Sequence, residues 1–276
     1  MLELPEVLTL SKQANDTLNG KTITNLFNAT KPHKFTFYNG DPFEYGKLLV
    51  GQTFQSAKGY GMFVDLFLSD NLVMNLGDGA NIRYYEPGSN IPANYQLLLT
   101  FSDDSFLAFT VSMYGFIGLY PDGIIDNKYH HISKTSISPL DKRYTIDEFE
   151  KLFSGAKATL TAKALLATEQ RIPGVGNGVT QDILFNARIH PKQKVLNLSD
   201  TRKEVLFNSL KDTLHEMRFE GGRDSQTDLY GNKGNYQTIL SARTWKKPCP
   251  RCGNTIIKEA YLGGSIYYCP ECQKIE

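Results

Sequence analysis

The chain has 276 residues, of which 41% are hydrophobic and 21% charged, and this length and composition indicate two folded domains and exclude bulk disorder. No uncharged apolar stretch is long enough to cross a bilayer, and the first ten residues carry two glutamates and no basic residue, so we expect no transmembrane span, no secretory signal and a cytoplasmic protein. The net charge of +1 is the sum of two unlike halves. Residues 1–133 have 8 Lys and Arg against 13 Asp and Glu (−5), and residues 134–276 have 22 against 16 (+6). Either the second half meets a polyanion, or the two domains differ in charge by chance.

A leading helix and a series of strands are predicted for the first part of the chain. Residues 5–19 have a proline at the first helical position, apolar residues at helical spacing and Gly20 at the end. From residue 21 to about residue 120, short apolar runs alternate with turn pairs such as Asn39-Gly40. The pattern is typical of a β-sandwich with a leading helix, which we assign to residues 1–125.

The apolar period becomes helical after residues 126–145, a polar and irregular segment that we interpret as a hinge. Pro-Gly-Val-Gly at 173–176 interrupts the helical pattern, and residues 221–247 are polar and Gly-rich, which predicts a loop. The sequence therefore predicts a helical domain over residues 146–247. Its helices are expected at residues 146–154, 161–170, 177–186 and 200–219.

The end of the chain, residues 248–276, has the spacing of a metal site. Two Cys-x2-Cys pairs, sixteen residues apart, comprise Cys249, Cys252, Cys269 and Cys272. Four thiolates at this spacing suit one tetrahedral Zn²⁺ with no open coordination position, so the metal would be structural. Disulfides and free thiols are the alternatives, and the lack of a secretory signal disfavours disulfides. Between the pairs, two short strand-like runs flank Gly263-Gly264 and predict a β-hairpin that carries the zinc.

Three segments of the chain carry a family resemblance. They are the start, MLELPEV, residues 165–191 (LLATEQRIPGVGNGVTQDILFNARIHP) and residues 248–274 (PCPRCGNTIIKEAYLGGSIYYCPECQK). In order and spacing they resemble the leading Met-Pro-Glu-Leu-Pro-Glu-Val, the helix–two-turn–helix element and the C-terminal zinc finger of the formamidopyrimidine-DNA glycosylase and endonuclease VIII family. The resemblance covers essentially the whole chain.

The resemblance implies an α+β protein of two domains, with an N-terminal β-sandwich, a helix–two-turn–helix domain and a zinc-finger hairpin. Family members flip a damaged nucleotide out of the duplex, form an imine between the N-terminal proline and C1′ of the sugar, and cleave the strand by elimination. For this chain the resemblance implies damaged or abasic double-stranded DNA as the partner, one structural Zn²⁺, and a monomer that acts on DNA of the nucleoid.

The start of the chain keeps one catalytic residue of the family and loses another. Glu3 matches the glutamate that assists opening of the sugar ring by proton transfer, although it could instead only favour the start of the helix. Leu2 stands where the family has its nucleophilic proline, and such a bulky second residue should keep Met1 in place. Met1 would still offer a primary α-amine that is able to form an imine.

The family's catalytic lysine is also displaced. Asn75-Leu76-Gly77 stands where the family has His-Leu-Gly, and counting back without a gap puts Gly61 at the lysine position. Lys58 lies three residues earlier. It is either the displaced catalytic lysine or a solvated lysine of a turn.

The family's phosphate-binding turn is kept over residues 173–177. The backbone N–H groups of such a turn, which here includes Gly174 and Gly176, bind a phosphate at a helix N-terminus without side-chain charge. Asn177 matches the family's phosphate-binding asparagine, and a plain N-cap is its alternative role. Arg171 flanks the turn and fits a surface that binds the DNA backbone.

Two further segments bear on DNA contact. Met113-Tyr114-Gly115 matches a family loop that fills the gap left by the flipped base, so Tyr114 would stack on a base or, alternatively, be a buried aromatic at a strand end. In the finger, Gly264 stands where the family commonly has a phosphate-binding arginine. Lys258 or Arg251 is the candidate to replace it.

Two functions in different classes follow. The first is a base-excision DNA glycosylase and abasic-site lyase that uses Glu3 and an amine from Met1 or Lys58. The second is a catalytically silent binder of damaged or abasic DNA, because three departures affect the nucleophile, the lysine and the phosphate clamp together. An RNA-binding module is disfavoured, since the two C-terminal motifs fit a duplex backbone better.

Overall fold

The computed structural model describes all residues except Met1, Thr30 and Asp122. It divides the chain into two compact units, which are Met1–Lys134 with Ser225–Gly234, and Thr135–Asp224 with Asn235–Glu276.

The segment Ser225–Gly234, which the sequence places in the helical domain, packs instead on the first unit. Leu229 is fully buried in the core of that unit, and its carbonyl accepts the N–H of Tyr84 at 2.8 Å. Asp228 accepts a hydrogen bond from the side chain of Gln13 at 2.9 Å. The difference arises because one buried leucine inside a polar loop is not visible as a pattern in the sequence.

Seven strands of the first unit form one sheet. They are β1 (Ile23–Asn28), β2 (Thr36–Tyr38), β3 (Phe54–Tyr60), β4 (Phe63–Leu68), β5 (Val73–Tyr85), β6 (Leu97–Phe101) and β7 (Phe106–Tyr120). The order is β1-β6-β7-β5-β4-β3, and β2 runs parallel to β7. The expected sandwich is therefore built from a single continuous sheet, whose two halves share the long strands β5 and β7.

A shift of register in β5 between Asp78 and Ala80 marks where the two halves of the sheet meet. A Cβ atom on Gly79 would collide there with the carbonyl oxygen of Tyr114 on β7. Only glycine lets the two strands come this close.

Helix α1 (Leu4–Leu18) covers one face of the sheet and agrees with the predicted helix to within one residue. Its apolar side, including Val7 and Leu10, is fully buried in the core of the unit. A Cβ atom on Gly59 of β3 would lie 2.6 Å from the side chain of Val7. Glycine on β3 therefore allows the close packing of α1.

The short helix α2 (Tyr45–Leu49) lies between β2 and β3. The predicted irregular hinge, residues 126–145, contains one short helix, α3 (Lys128–Thr135), and α4 (Ile146–Glu150) begins directly after it. His130 of α3 is buried, and its Nε2 lies 2.9 Å from Oδ2 of the buried Asp65 on β4. Asp65 also accepts a hydrogen bond from the amide of Asn75 at 2.6 Å. The prediction of an irregular segment was wrong for α3, because its anchor lies 65 residues away in sequence.

The second unit holds the helices that the sequence predicted, with some differences in length. They are α4, α5 (Ala162–Ala167), α6 (Asn177–Asn186) and α7 (Asp200–Phe219), followed by the hairpin of β8 (Ile257–Tyr261) and β9 (Gly264–Tyr268). Single 3₁₀ turns occur at Ser69–Asn71, Lys151–Phe153 and Val195–Asn197. Ser199 is the N-cap of α7, and its side chain accepts the N–H of Arg202. Among the described residues, no helix has the length and apolar character needed to cross a membrane.

Candidate nucleic-acid interface and catalytic groups

Glu3 lies at the N-terminus of α1 and is 2% exposed. Its backbone N–H donates to Oε2 of Glu6 at 3.1 Å, and its carboxylate accepts the backbone N–H of Glu6, which completes a capping box. The helix-starting role that the sequence left open is therefore present. This capping fixes the position of the Glu3 carboxylate at the start of α1.

Leu2 is part of the hydrophobic core and is 2% exposed. Its backbone N–H donates to the carbonyl of Asp78 at 3.3 Å. While Met1 is retained, this nitrogen is an amide, which is not nucleophilic, so position 2 offers no amine of the kind that a leading proline supplies. Met1, the expected alternative amine, lies outside the described residues.

Asp78, which the sequence reasoning did not single out, contacts Leu2 through its backbone carbonyl. It lies at the register shift of β5 in a left-handed conformation (φ 57°), and burial raises the pKa of its carboxyl group. Burial and the charge of Asp78 together raise the pKa of the Tyr114 hydroxyl. The available signal was the Asp-Gly pair inside a strand, directly after Asn75-Leu76-Gly77.

Tyr114 and Met113 are exposed on β7, by 44% and 72% of their surfaces. Tyr114 is therefore not a buried aromatic, and it lies on the same part of the first unit as Leu2 and Asp78. Exposed side chains of this size are what insertion beside a flipped nucleotide requires.

Lys58 is exposed on β3, and its Nζ lies 5.1 Å from the centroid of the Tyr60 ring. Side chains alternate along a strand, and Gly59 is the residue that faces Val7 of α1. Lys58 therefore points to the face of β3 opposite to the one that Gly59 turns towards α1. Gly61 lies in the tight turn after β3 with φ 56°.

The phosphate-binding turn leads directly into α6. Gly174 has φ 85°, which favours glycine, and Gly176 is the N-cap of the helix, so that Asn177 is the first helical residue rather than the cap. Asn177 Nδ2 donates to the carbonyl of Ser265 on β9 at 3.2 Å. The side-chain amide of Asn177 and the N-terminus of α6 therefore lie together at the end of this turn.

The edge of β9 is held by side chains of α6. Gln181 Oε1 accepts the N–H of Tyr267 at 3.0 Å, and Gln181 Nε2 donates to the carbonyl of Ser265 at 3.2 Å. A Cβ atom on Gly264 would lie 3.6 Å from Nδ2 of Asn177. The position of the missing finger arginine is therefore directly beside Asn177.

The two candidates to replace that arginine lie elsewhere. Lys258 is paired with Tyr267 across the hairpin, on the face opposite to Gly264, and its Nζ lies 5.5 Å from the ring centroid of Trp245. The Arg251 guanidinium lies over the ring of Phe185 at 4.4 Å and donates to the carbonyl of that residue. Neither side chain is placed beside Asn177.

Arg171 closes the end of α5. Its Nη1 donates to the carbonyl oxygens of Ala164 and Thr168, and its Nη2 lies 2.7 Å from the carboxylate of Glu169. These bonds satisfy the C-terminal carbonyl groups of a short helix. The guanidinium that the sequence assigned to DNA backbone contact is thus engaged within the protein.

Asp182 links α6 to the segment that precedes the finger. Its buried carboxylate accepts the N–H groups of Ile239 at 2.9 Å and Leu240 at 2.8 Å. Burial raises the pKa of Asp182 to about 6, and the two backbone hydrogen bonds oppose this shift.

The four cysteines form one cluster in which every Sγ lies within 4.8 Å of the others. Two Sγ···Sγ distances are 3.4 Å for Cys252 and Cys269 and 3.9 Å for Cys249 and Cys272. Four thiolates around Zn²⁺ at Zn–S of about 2.3 Å lie about 3.8 Å apart, so the cluster fits the metal. Because all four positions are filled by protein, the zinc is structural.

Known proteins match the chain along its whole length. It matches the formamidopyrimidine-DNA glycosylase N-terminal domain over residues 1–116, the formamidopyrimidine-DNA glycosylase H2TH domain over residues 136–227, and a zinc finger found in FPG and IleRS over residues 246–275. The formamidopyrimidine-DNA glycosylases of Ureaplasma parvum serovar 3 and Brevibacillus brevis are 30% and 29% identical, over 99% of this chain and 100% and 99% of theirs.

Solved structures show the same fold. Lactococcus lactis Fpg in a complex with abasic-site-containing DNA has a TM-score of 0.82 at 23% identity, and the match covers 99% of each chain. The same protein with N7-benzyl-Fapy-dG-containing DNA matches with a TM-score of 0.82 at 24% identity. The three domain matches and the full-length relatives agree with the buried Glu3, the glycine turn before Asn177 and the four-cysteine cluster described above. The chain therefore belongs to the formamidopyrimidine-DNA glycosylase family.

Proposed function

We propose that this protein is a base-excision DNA glycosylase and abasic-site lyase that binds damaged double-stranded DNA. The observation that carries the proposal is the intact phosphate-binding turn, with Asn177 hydrogen-bonded to the zinc hairpin at Ser265. Relatives have been solved with abasic-site and Fapy-containing DNA. We further propose that it acts as a monomer in the cytoplasm, on DNA of the nucleoid.

The chemistry proposed for Glu3 is proton transfer to the sugar. An amine attacks C1′, the bond from C1′ to the base breaks, and Glu3 protonates the ring oxygen as the ring opens to an imine. In the elimination that follows, C2′ of the imine loses a proton, a double bond forms between C2′ and C3′, and the phosphate leaves from C3′. The α-amine of Met1 is the favoured nucleophile, since Lys58 points to the face of β3 away from α1.

Borohydride trapping on an abasic-site duplex tests this proposal. We expect a covalent adduct that peptide mapping assigns to Met1, formed equally well by Lys58→Ala. Glu3→Gln keeps an oxygen that caps α1 but has no acidic proton to transfer, so the variant should fold and bind the duplex while strand cleavage falls at least about a hundredfold. An adduct on Lys58 would transfer the nucleophile role to that residue.

A second candidate function is a silent binder of damaged or abasic DNA. It is favoured by two observations, the Leu2 amide that is hydrogen-bonded inside the first unit and the missing side chain at Gly264. Tight binding of the abasic duplex with neither adduct nor strand cleavage would support it. If the protein shows no salt-dependent affinity for duplex DNA, both functions are excluded.

A further inference from the structure

A basic surface lies at the zinc hairpin, on the face opposite to Gly264. Trp245 lies on this face with the Nζ atoms of Lys246 and Lys258 at 4.4 Å and 5.5 Å from its ring centroid. Lys247 follows directly and is exposed. We call Trp245, Lys246, Lys247 and Lys258 the Trp245 patch.

The Trp245 patch has an excess of uncompensated positive charge. Residues 235–258 contain five Lys and Arg and no Asp or Glu. Nearby cations outside the patch are paired, Lys192 with Glu259 and Arg243 with Asp224. Within the described part of the chain, no carboxylate lies within ion-pair distance of the three lysines of the patch.

The indole ring is held in place rather than free to turn. Trp245 is partly buried and packs against a cluster that includes Ile256 and Tyr267. Tyr267 lies directly across the hairpin from Lys258. A packed aromatic ring beside two exposed lysines combines a stacking surface with ligands for phosphate.

We propose that the Trp245 patch binds a single-stranded segment of nucleic acid, with Trp245 stacked on a base and the lysines neutralising adjacent phosphates. An unpaired strand is the ligand that fits, because a duplex hides the faces of its bases whereas a single strand exposes them. The inference goes beyond the proposed function, which requires only that duplex DNA bind near Asn177.

The chain provides its own reporter for this surface, because Trp245 is its only tryptophan. We expect unmodified oligothymidine to quench the emission of the full-length, zinc-loaded protein. Three neutralised phosphates on a single strand correspond to a salt slope of about −2. Absence of quenching by oligothymidine, or equal quenching by an undamaged duplex, would overturn the assignment.

Charge reversal tests the lysines. Lys246→Glu combined with Lys258→Glu should weaken oligothymidine binding at least tenfold. The matched control combines Lys142→Glu with Lys157→Glu, since both residues are exposed in the same unit and the net charge changes equally. Zinc content and circular dichroism confirm folding of both proteins. Equal weakening by patch and control variants would show a bulk charge effect and overturn the proposal.

Abasic-duplex binding separates this inference from the proposed function. Asn177→Ala should weaken binding of the abasic duplex and leave oligothymidine binding within about twofold. The double variant of the patch should weaken oligothymidine binding, but it should affect abasic-duplex binding and strand cleavage no more than the Lys142→Glu, Lys157→Glu control does. If it abolishes binding of the abasic duplex as well, the two surfaces are one site and the inference fails, whereas the proposed function stands.

Discussion

Among single residues, Gly264 is the departure with the most direct consequence for DNA binding. The nearest atoms to a Cβ at this position are those of the Asn177 side chain, at 3.6 to 3.7 Å, which is ordinary van der Waals contact. The backbone at this position therefore has room for a Cβ atom, and we expect an arginine here to reach the phosphate proposed for Asn177.

We expect Gly264→Arg to tighten binding of an abasic duplex about tenfold, a gain of about 1.4 kcal/mol, and to steepen the salt dependence by about one phosphate. Fluorescence anisotropy at several salt concentrations measures both. Ala260→Arg, on the face of Lys258, is the control with equal charge. An equal gain in affinity from the control would show that the location of the arginine beside Asn177 does not matter.

Asp182 predicts how the free energy of unfolding depends on pH. Its pKa of about 6 in the folded protein exceeds the ordinary value near 3.8, so the folded state binds the proton more tightly than the unfolded state. Between about pH 4 and pH 6, Asp182 should therefore lower the free energy of unfolding as pH rises, by up to about 1.4 kcal/mol per pH unit. Asp182→Asn should remove this contribution in urea unfolding measured at several pH values, and an unchanged slope would contradict it.

Among the elements, α3 shows how a distant contact creates structure. Asn127 caps it by accepting the N–H groups of Tyr129 and His130, which is a local signal that the polar composition obscured. The decisive interaction is between the buried side chains of His130 and Asp65. We propose that the hinge between the units begins at Thr135, where α3 ends.

We expect His130→Ala to remove the buried partner of Asp65 on α3 and to cost about 3 kcal/mol in urea unfolding. Because α3 would then unfold, trypsin should cleave the backbone after Lys128 and Lys134, whose side chains are already exposed. His131→Ala is the matched control, because that neighbour is exposed. Equal effects of the two variants would show that the buried pair does not hold α3.

The zinc hairpin is the second element with a testable dependence. Cys249 and Cys269 are buried in a small core with Phe185 of α6, so loss of the metal leaves four close thiols and removes the support of β9. A strong chelator should release one Zn²⁺ per chain and weaken abasic-duplex binding at least tenfold. The affinity should return on adding Zn²⁺, and undiminished binding by the metal-free protein would contradict a structural role.

For the whole molecule, the net charge of +1 averages two units with different tasks. The first unit, with residues 225–234 included, has 10 Lys and Arg against 14 Asp and Glu, and the second has 20 against 15, or −4 and +5. Zinc with four thiolates contributes −2, so the second unit has a charge of about +3.

We therefore expect modest affinity for undamaged duplex DNA with a clear salt dependence. If about three phosphates are neutralised, doubling the salt concentration weakens binding about sixfold. Anisotropy between 50 and 200 mM salt tests this at about pH 7.5. A salt-independent affinity would contradict an electrostatic interface on the second unit.

The sequence by itself determined the features that depend on neighbouring residues. The spacing of the four cysteines, the glycine turn before Asn177, and the positions of α1, α6 and α7 are local signals, because caps, turns and apolar period act within a few residues. The family resemblance rested on the same segments.

Only the tertiary structure decided which side chains meet. It places His130 on Asp65, Leu229 in the core of the first unit, Arg171 on the end of α5, and Lys258 on the face of the hairpin away from Asn177. These outcomes depend on contacts between residues that are distant in sequence and on the direction in which each strand presents its side chains. Local spacing in the sequence encodes neither these contacts nor these directions. The catalytic and phosphate-binding candidates could therefore be proposed from the sequence, but their positions relative to one another could not.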